Sequence, residues 1–341
     1  MAYVESRNRA TSDPGARRDV VAEIEARGIE DVLLWFTDLE GHLKSFAITR
    51  SEVEGALDDG MGFDGSSITG FNAIEESDMV AIPDPETFRV LPDGRAGRMI
   101  CDVVTPDGEA YDGDPRHALR RALDRMQSMG FDTFNVGPEA EYFLFKEGRN
   151  QFFAGDDQYF LSPVGKAFIA GQLKHAREIS SLFAQWVNSY KRLVPGYEAP
   201  VYVAWSLRNR SALIRIPLYK PGSEQATRAE LRCPDPACNP YLLFAALLHA
   251  GLEGIEQGYE LPPPMETNLY HLTAEQRRER GIVSLPETLG EAIDVFAQSE
   301  LMRSALGAHI FDRYVELKRK EWDEYRVQLT QWELDRYLGV L

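Results

Sequence analysis

Gly137-Pro138-Glu139-Ala140-Glu141-Tyr142-Phe143-Leu144-Phe145 opens on a Gly-Pro break and then alternates with the period of a strand. Residues two apart on a strand share a face. Glu139 and Glu141 therefore project together, Phe143 and Phe145 continue that face, and Ala140, Tyr142 and Leu144 form the other. Two adjacent carboxylates repel each other and are costly to bury. A hard divalent cation, Mg2+ or Mn2+, held through oxygen ligands resolves that cost. An edge strand with both glutamates in water accounts for the segment equally well.

Three further segments carry chemistry-bearing residues. In Thr227-Arg228-Ala229-Glu230-Leu231-Arg232 the two arginines flank Glu230 on one face of a strand. By itself that pattern reads first as a self-neutralising row of ion pairs; functionally, Glu230 would hold a metal and the arginine forks carboxylate or phosphate oxygens. The run Asn188 to Pro200, followed by Arg208-Asn209-Arg210-Ser211 and Arg215, concentrates basic residues within an acidic chain and contains a lone Glu198. The interleaved Tyr190, Tyr197, Tyr202 and Trp205 favour an anion-handling surface over a solvated basic face. Gly62-Phe63-Asp64-Gly65-Ser66-Ser67 reads in isolation as a tight turn.

Around these segments the chain has an α+β pattern rather than strict βαβ alternation. Residues 1–19 are polar and read as a disordered tail, and Val20 to Arg27 as a helix stopped by Gly28. Val32 to Phe36 and Leu43 to Ile48 read as a hairpin around Asp38-Leu39-Glu40-Gly41, and Pro83 to Asp93 as a Pro/Asp-rich connection. Asp114-Pro115 and Asn239-Pro240 each place a capping residue before a proline, a helix start. A small sheet-rich domain, 20–108, precedes a mixed domain, 109–341.

With 341 residues and a net charge of -17, the chain is unsuited to nucleic acid, which needs cationic phosphate contacts. No apolar run reaches the roughly 18 residues of a membrane span. The N-terminus shows no apolar leader. The three cysteines have neither metal-ligand spacing nor an even disulfide set, so a reducing cytoplasm is the simplest setting.

Taken together, and in this order, the segments resemble the signatures of bacterial type I glutamine synthetase. The resemblance runs from about Val32 to the C-terminus and is strongest over Asn188 to Tyr241, with Val194-Pro-Gly-Tyr-Glu-Ala-Pro, Asn209-Arg-Ser-Ala and Pro234-Asp-Pro-Ala-Cys-Asn-Pro-Tyr. It implies an N-terminal β-grasp domain, a larger α/β catalytic domain, and a dodecamer of two stacked hexameric rings with active sites between neighbouring subunits. The implied reaction takes ATP, glutamate and ammonium through γ-glutamyl phosphate to glutamine. The resemblance also assigns roles. Glu139, Glu141 and Glu230 would hold the metals. Arg210, Arg215 and Arg228 would contact the nucleotide, and Arg192 and Arg232 the glutamate. Glu198 would be the flap carboxylate, Asp64 and Ser67 the ammonium-side loop, and Tyr270 a tyrosine adenylylated in some relatives.

One departure stands beside these matches. Family members carry, after the Glu-x-Glu strand, a segment with two further glutamate ligands and a histidine ligand. Here Leu144-Phe145-Lys146-Glu147-Gly148-Arg149-Asn150 runs directly into the sequence that normally follows it. None of the six histidines takes the missing place, and the protein ligands fall from six to three. The catalytic domain is thus expected to be internally truncated near 145–149. Two alternatives follow: a catalytically impaired homologue serving an oligomer, or a γ-glutamyl ligase for another amine.

Overall fold

The computed structural model describes residues 14–66, 68–70, 78–136, 141–146, 150–151, 159, 161–197, 199–217 and 227–340, with backbone alone at 14, 135, 141–146, 150 and 151. Two units emerge: residues up to Arg121 with Asn239–Ala245 and Leu306–Ile310, and the remainder.

The first unit is a helix-backed sheet. Its elements are α1 (Pro14–Arg27), β1 (Asp31–Thr37), β2 (Leu43–Thr49), α2 (Val53–Asp59), β3 (Met61–Asp64), β4 (Asp78–Val90) and β5 (Ala96–Val104). The strands are ordered β2-β1-β5-β4-β3, with β1 antiparallel to β2 and parallel to β5. Alternation along β1 buries Val32, Leu34 and Phe36. The first two join Ile24, Leu57, Met99 and others in the core. Because α1 begins at Pro14, the disordered-tail reading of residues 1–19 is corrected from that residue onward.

The Pro/Asp-rich connection is corrected as well: Pro83 to Val90 belong to β4, a strand of 13 residues. Proline breaks a ladder only where its N–H is needed. β3 pairs no further along β4 than Ala81, so Pro83 and Pro85 lie where that side of β4 has no described partner. The register against β5 also shifts between Asp84 and Arg89.

The hairpin turn is held from inside. Asp38 is fully buried and accepts hydrogen bonds from the His42 N–H at 2.9 Å, with Lys44 Nζ at 3.1 Å. Asn239 Nδ2 donates to the Asp38 and Leu39 carbonyls. Gly41 has φ +84°, and a side chain there would also meet the Asn239 backbone.

Asp114 caps α3 (Pro115–Ser128), as its sequence suggests. Its carboxylate accepts from the N–H groups of Val103 (3.0 Å) and Arg116 (2.9 Å). Complete burial, with Asp102 nearby, pushes its pKa up to about 7 despite those two bonds. An acid whose folded pKa is raised contributes stability that is full below its unfolded value and is lost as pH rises through the folded value. Between pH 6 and 8 the parent is therefore expected to lose on the order of 1 kcal/mol that Asp114→Asn does not lose. Urea melts of both proteins at the two pH values check this; parallel slopes would refute it.

The second unit carries a sheet of β6 (Thr133–Val136), β7 (Glu141–Lys146), β8 (Asn150–Gln151), β9 (Tyr202–Ser206), β10 (Ala212–Arg215) and β11 (Ala229–Leu231). Its order is β6-β7-β11-β10-β9, with β8 paired to β7. β7 and β8 are antiparallel, Lys146 opposite Asn150.

Helix α4 (Pro163–Phe183) starts at a Ser162 cap, whose hydroxyl accepts from Gly165 N–H at 2.9 Å. It runs largely buried and meets α5 (Pro240–Glu256) glycine to glycine: a methyl group on Gly171 would lie 2.1 Å from the Ala250 carbonyl oxygen. After α6 (Ala274–Glu279) come α7 (Leu289–Phe296), α8 (Glu300–Leu306), α9 (Ala308–Arg326) and α10 (Gln331–Tyr337). Phe296 stacks on Phe311 with ring centres 4.9 Å apart, and the Tyr314 hydroxyl donates to the Ser181 carbonyl. Among the described residues no helix is long and apolar enough to cross a membrane.

Candidate active site

The central strands of the second sheet bring the chemistry-bearing residues together by register. Glu230 on β11 is the Cα partner of Glu141 on β7 and, on its other side, of Arg215 on β10. Opposed positions of an antiparallel pair share a face. Two acidic positions and an arginine thus line up across three strands.

The Glu230 carboxylate is 15% exposed and is gripped from both sides. Arg215 donates to Oε2 through Nε (2.6 Å) and also through Nη2. Arg232 donates through Nε to Oε1 at 3.1 Å. Of the ion-pair row that the alternation suggested, the Glu230–Arg232 pair is described, and Arg215 from the neighbouring strand is a third member. Arg232 reaches further and donates to the Arg210 carbonyl. Arg192, just after the turn Val187–Lys191, donates to the Cys233 carbonyl, while its buried Nε has no described partner. Arg215, Glu230 and Arg232 therefore form one connected side-chain cluster, tied to the Arg210 carbonyl, while the Arg192 bond goes to Cys233, next to Arg232 in sequence.

Beside it opens a cleft of about 590 Å³ whose walls include Tyr197, Arg208, Arg210, Arg232, Glu266 and Tyr270. Its shape depends on a residue to which the sequence reading gave no role. Asn209 Oδ1 accepts from the Ser211 N–H and hydroxyl (3.0 and 2.6 Å), while Nδ2 donates to the Met265 and Thr267 carbonyls (2.8 and 2.6 Å). Glu266 adds a bond from the Leu207 N–H at 2.7 Å. These bonds tie residues 265–267 onto the 207–211 turn. The Asn-x-Ser spacing of an Asx turn was a visible signal for half of this; the bonds to 265 and 267 span over 50 residues and left none. Asn209→Ala is expected to lower stability by about 2 kcal/mol through the lost bonds. Thermal melts check this.

Tyr270 lies on the short turn Leu269–His271, its hydroxyl 3.4 Å from the Tyr197 carbonyl and its ring 5.9 Å from that of Tyr202. Arg228 is half-buried just before β11. Asp64 ends β3 in the first unit. Hydrogen bonds from the Ser66 hydroxyl and N–H hold its carboxyl below the usual range. Ser67, Glu139 and Glu198 lie outside the described residues, as does the Glu141 side chain. Among the described residues no three His, Cys, Asp or Glu side chains cluster as a metal site. The three cysteines are free; burial pushes Cys233 well above its ordinary range and Cys238 up to about 11, so neither is a thiolate at neutral pH.

Family models settle the ancestry. The glutamine synthetase β-grasp domain matches residues 28–106, and the glutamine synthetase catalytic domain matches 112–152 and 144–337. The chain belongs to the glutamine synthetase family. It is 38% identical over 440 residues to the glutamine synthetase of Mycolicibacterium smegmatis, covering 94% of this chain and 98% of the relative. To the Thermus thermophilus enzyme it is 34% identical over 444 residues, covering 95% and 99%. Among solved structures, GmaS in complex with ADP superposes with a TM-score of 0.82 at 23% identity, covering 94% of this chain and 99% of GmaS. By family the protein is an enzyme, a glutamate–ammonia ligase. The expected β-grasp and catalytic architecture holds.

Two features of the matches concern the join. An alignment of 440 positions that covers 94% of a 341-residue chain leaves well over a hundred positions of the relative opposite nothing. The catalytic model, moreover, matches in two pieces that both claim residues 144–152.

Proposed function

We propose that this chain uses ATP to join ammonia to the γ-carboxylate of L-glutamate through γ-glutamyl phosphate, giving glutamine, ADP and phosphate. The observation that carries the reading is Glu230, set between two arginine forks and opposite Glu141 in register. In this reading Arg210, Arg215 and Arg228 take phosphate oxygens, and Arg192 and Arg232 take the glutamate. Guanidinium forks match both kinds of oxygen bidentately. Asp64, with Ser67 beside it in sequence, belongs in this reading to the ammonium-side loop; a carboxyl held below its usual range by Ser66 stays ionised and so attracts the cation. Glu198 shields the intermediate from water. Tyr270, at the rim of the cleft, is a candidate for adenylylation.

In this reading the three carboxylates are of the donor class that takes hard cations, Mg2+ or Mn2+. Such an ion is commonly held by one or two carboxylates with water and substrate phosphates completing its shell. Glu139 and Glu230 would hold one such ion and Glu141 a second. When bound, such an ion neutralises charge that develops on the transferred phosphoryl group. Assembly as a dodecamer of stacked rings belongs to the same reading.

A second reading is favoured by the join. The two-piece match and the alignment length support an internally shortened catalytic domain, truncated near 145–149; impaired turnover, with a part in an oligomer, would follow from the metal ligands that the resemblance finds missing. A phosphate-release assay with glutamate and ATP, run against ammonium and a panel of primary amines, separates the possibilities. The ligase reading expects phosphate release that depends on ammonium. Release with another amine alone would reassign the substrate, and no release from an assembled ring would establish the second reading.

A further inference from the structure

The arginines of the cleft differ in what they already hold. Arg232 is committed to Glu230 and to the Arg210 carbonyl. Arg208 and Arg210 line the same cleft and are exposed. Among the described residues neither of their side chains takes part in an ion pair or a hydrogen bond. Glu266, the carboxylate in the same wall, is turned to the Leu207 N–H at 2.7 Å rather than to either arginine. The turn that carries the two arginines is nevertheless fixed. Ser206 Oγ donates to the Asn209 carbonyl at 2.8 Å, and the Asn209 amide clamps residues 211, 265 and 267. Two like charges are thus presented from either side of Asn209 by a backbone with little freedom to separate them.

Like charges held together on a concave surface repel, and the field they share draws an anion in. A guanidinium fork matches phosphate oxygens bidentately. A single carboxylate satisfies one fork, whereas a diphosphate brings oxygens and charge for two. The cleft volume, about 590 Å³, is that of a small-molecule site. We propose that Arg208 is a second phosphate-binding residue of this cleft, closing together with Arg210 on one nucleoside di- or triphosphate. This rests on the reading of Arg210 as a nucleotide contact given above, and adds to it a residue which that reading leaves unused. Because the Arg208 side chain holds no described part of the fold, its loss costs binding and not stability.

Binding of ADP to the full chain, with Mg2+ present and at one ionic strength, is measured by calorimetry for the parent, Arg208→Gln, Arg210→Gln and Arg280→Gln. Arg280 is an exposed arginine just after α6 and outside the cleft, and controls for the loss of one positive charge. Arg208→Gln is expected to bind ADP about tenfold more weakly than the parent, the loss of one charge-assisted hydrogen bond, and to melt at the parent's temperature. Arg208→Lys, which keeps the charge without the fork, is expected to fall between them, and Arg280→Gln to bind as the parent does. Parent-like binding by Arg208→Gln beside weakened binding by Arg210→Gln overturns the proposal and leaves the nucleotide reading standing. So does an equal loss in Arg280→Gln, which a long-range field alone produces, or a loss in Arg208→Gln that comes with a lowered melting temperature of the free protein. Weakened binding of L-glutamate with unchanged binding of ADP overturns the choice of phosphate. Parent-like binding by both cleft variants, or no ADP binding by the parent, overturns the nucleotide reading of the cleft and the proposal with it.

Discussion

Gly171→Val is expected to yield no soluble folded protein, and Gly171→Ala to lose about 4 kcal/mol or more, beyond the usual cost of overpacking. The reason lies in which atoms are in the way. A methyl group on Gly171 would lie 2.1 Å from the Ala250 carbonyl oxygen and 2.9 Å from the Gly254 nitrogen. One on Gly254 would lie 2.1 Å from the Ala167 carbonyl oxygen. A flexible side chain could swing aside; a helical carbonyl moves only with its helix, so α4 and α5 would have to part. Gly55, in α2, has nothing within 4 Å of its added carbon. Gly55→Ala is accordingly expected to be neutral or to stabilise by about 1 kcal/mol, since alanine is the better helix former. Urea melts of the two alanine variants make the comparison. A Gly171→Ala protein within 1 kcal/mol of the parent would mean that the helices do not approach as closely as described.

The largest effect on activity is expected from Glu230→Gln. The substitution keeps shape and removes charge, leaving the forks of Arg215 and Arg232 facing a neutral amide in a place only 15% exposed. Three charge-assisted bonds weaken, at about 1.5–3 kcal/mol each for hydrogen bonds to charged groups. The cost to the chemistry is greater. Catalysis of phosphoryl transfer is almost entirely positioning and electrostatic stabilisation, and loss of one such group costs on the order of 10²–10³ in kcat. Glutamine formation is expected to fall by that factor, and Mn2+ uptake measured by calorimetry to fall with it. Parent-like Mn2+ uptake would remove Glu230 from the metal site whatever the turnover.

How much of this was legible in the sequence varies with the range of the interaction. Alternation found β1 and β2, and a proline after a capping residue found the starts of α3 and α5, because those signals are local. β4 was missed because Pro83 and Pro85 read as breakers, although proline is tolerated where one side of a strand has no partner. The start of α1 was missed because Pro14 and Gly15 read as unstructured, whereas proline is favoured in the first turn of a helix. At the site, Arg228, Glu230 and Arg232 could be placed on one face from spacing alone. That Glu230 is held across the sheet by Arg215 required the register of β10 against β11, which no local pattern encodes. The part Asn209 plays is hidden for the same reason: two of its bonds go to carbonyls far along the chain.

The hairpin of β7 and β8 also bears on how such a chain could be rebuilt. Lys146 and Asn150 are ladder partners, so their backbones lie about 5 Å apart, the spacing of adjacent strands. A graft at this point needs only termini that lie side by side, which many small domains possess. The block of a longer relative that has no counterpart in this chain could be offered there as a transplant without lengthening any other connection.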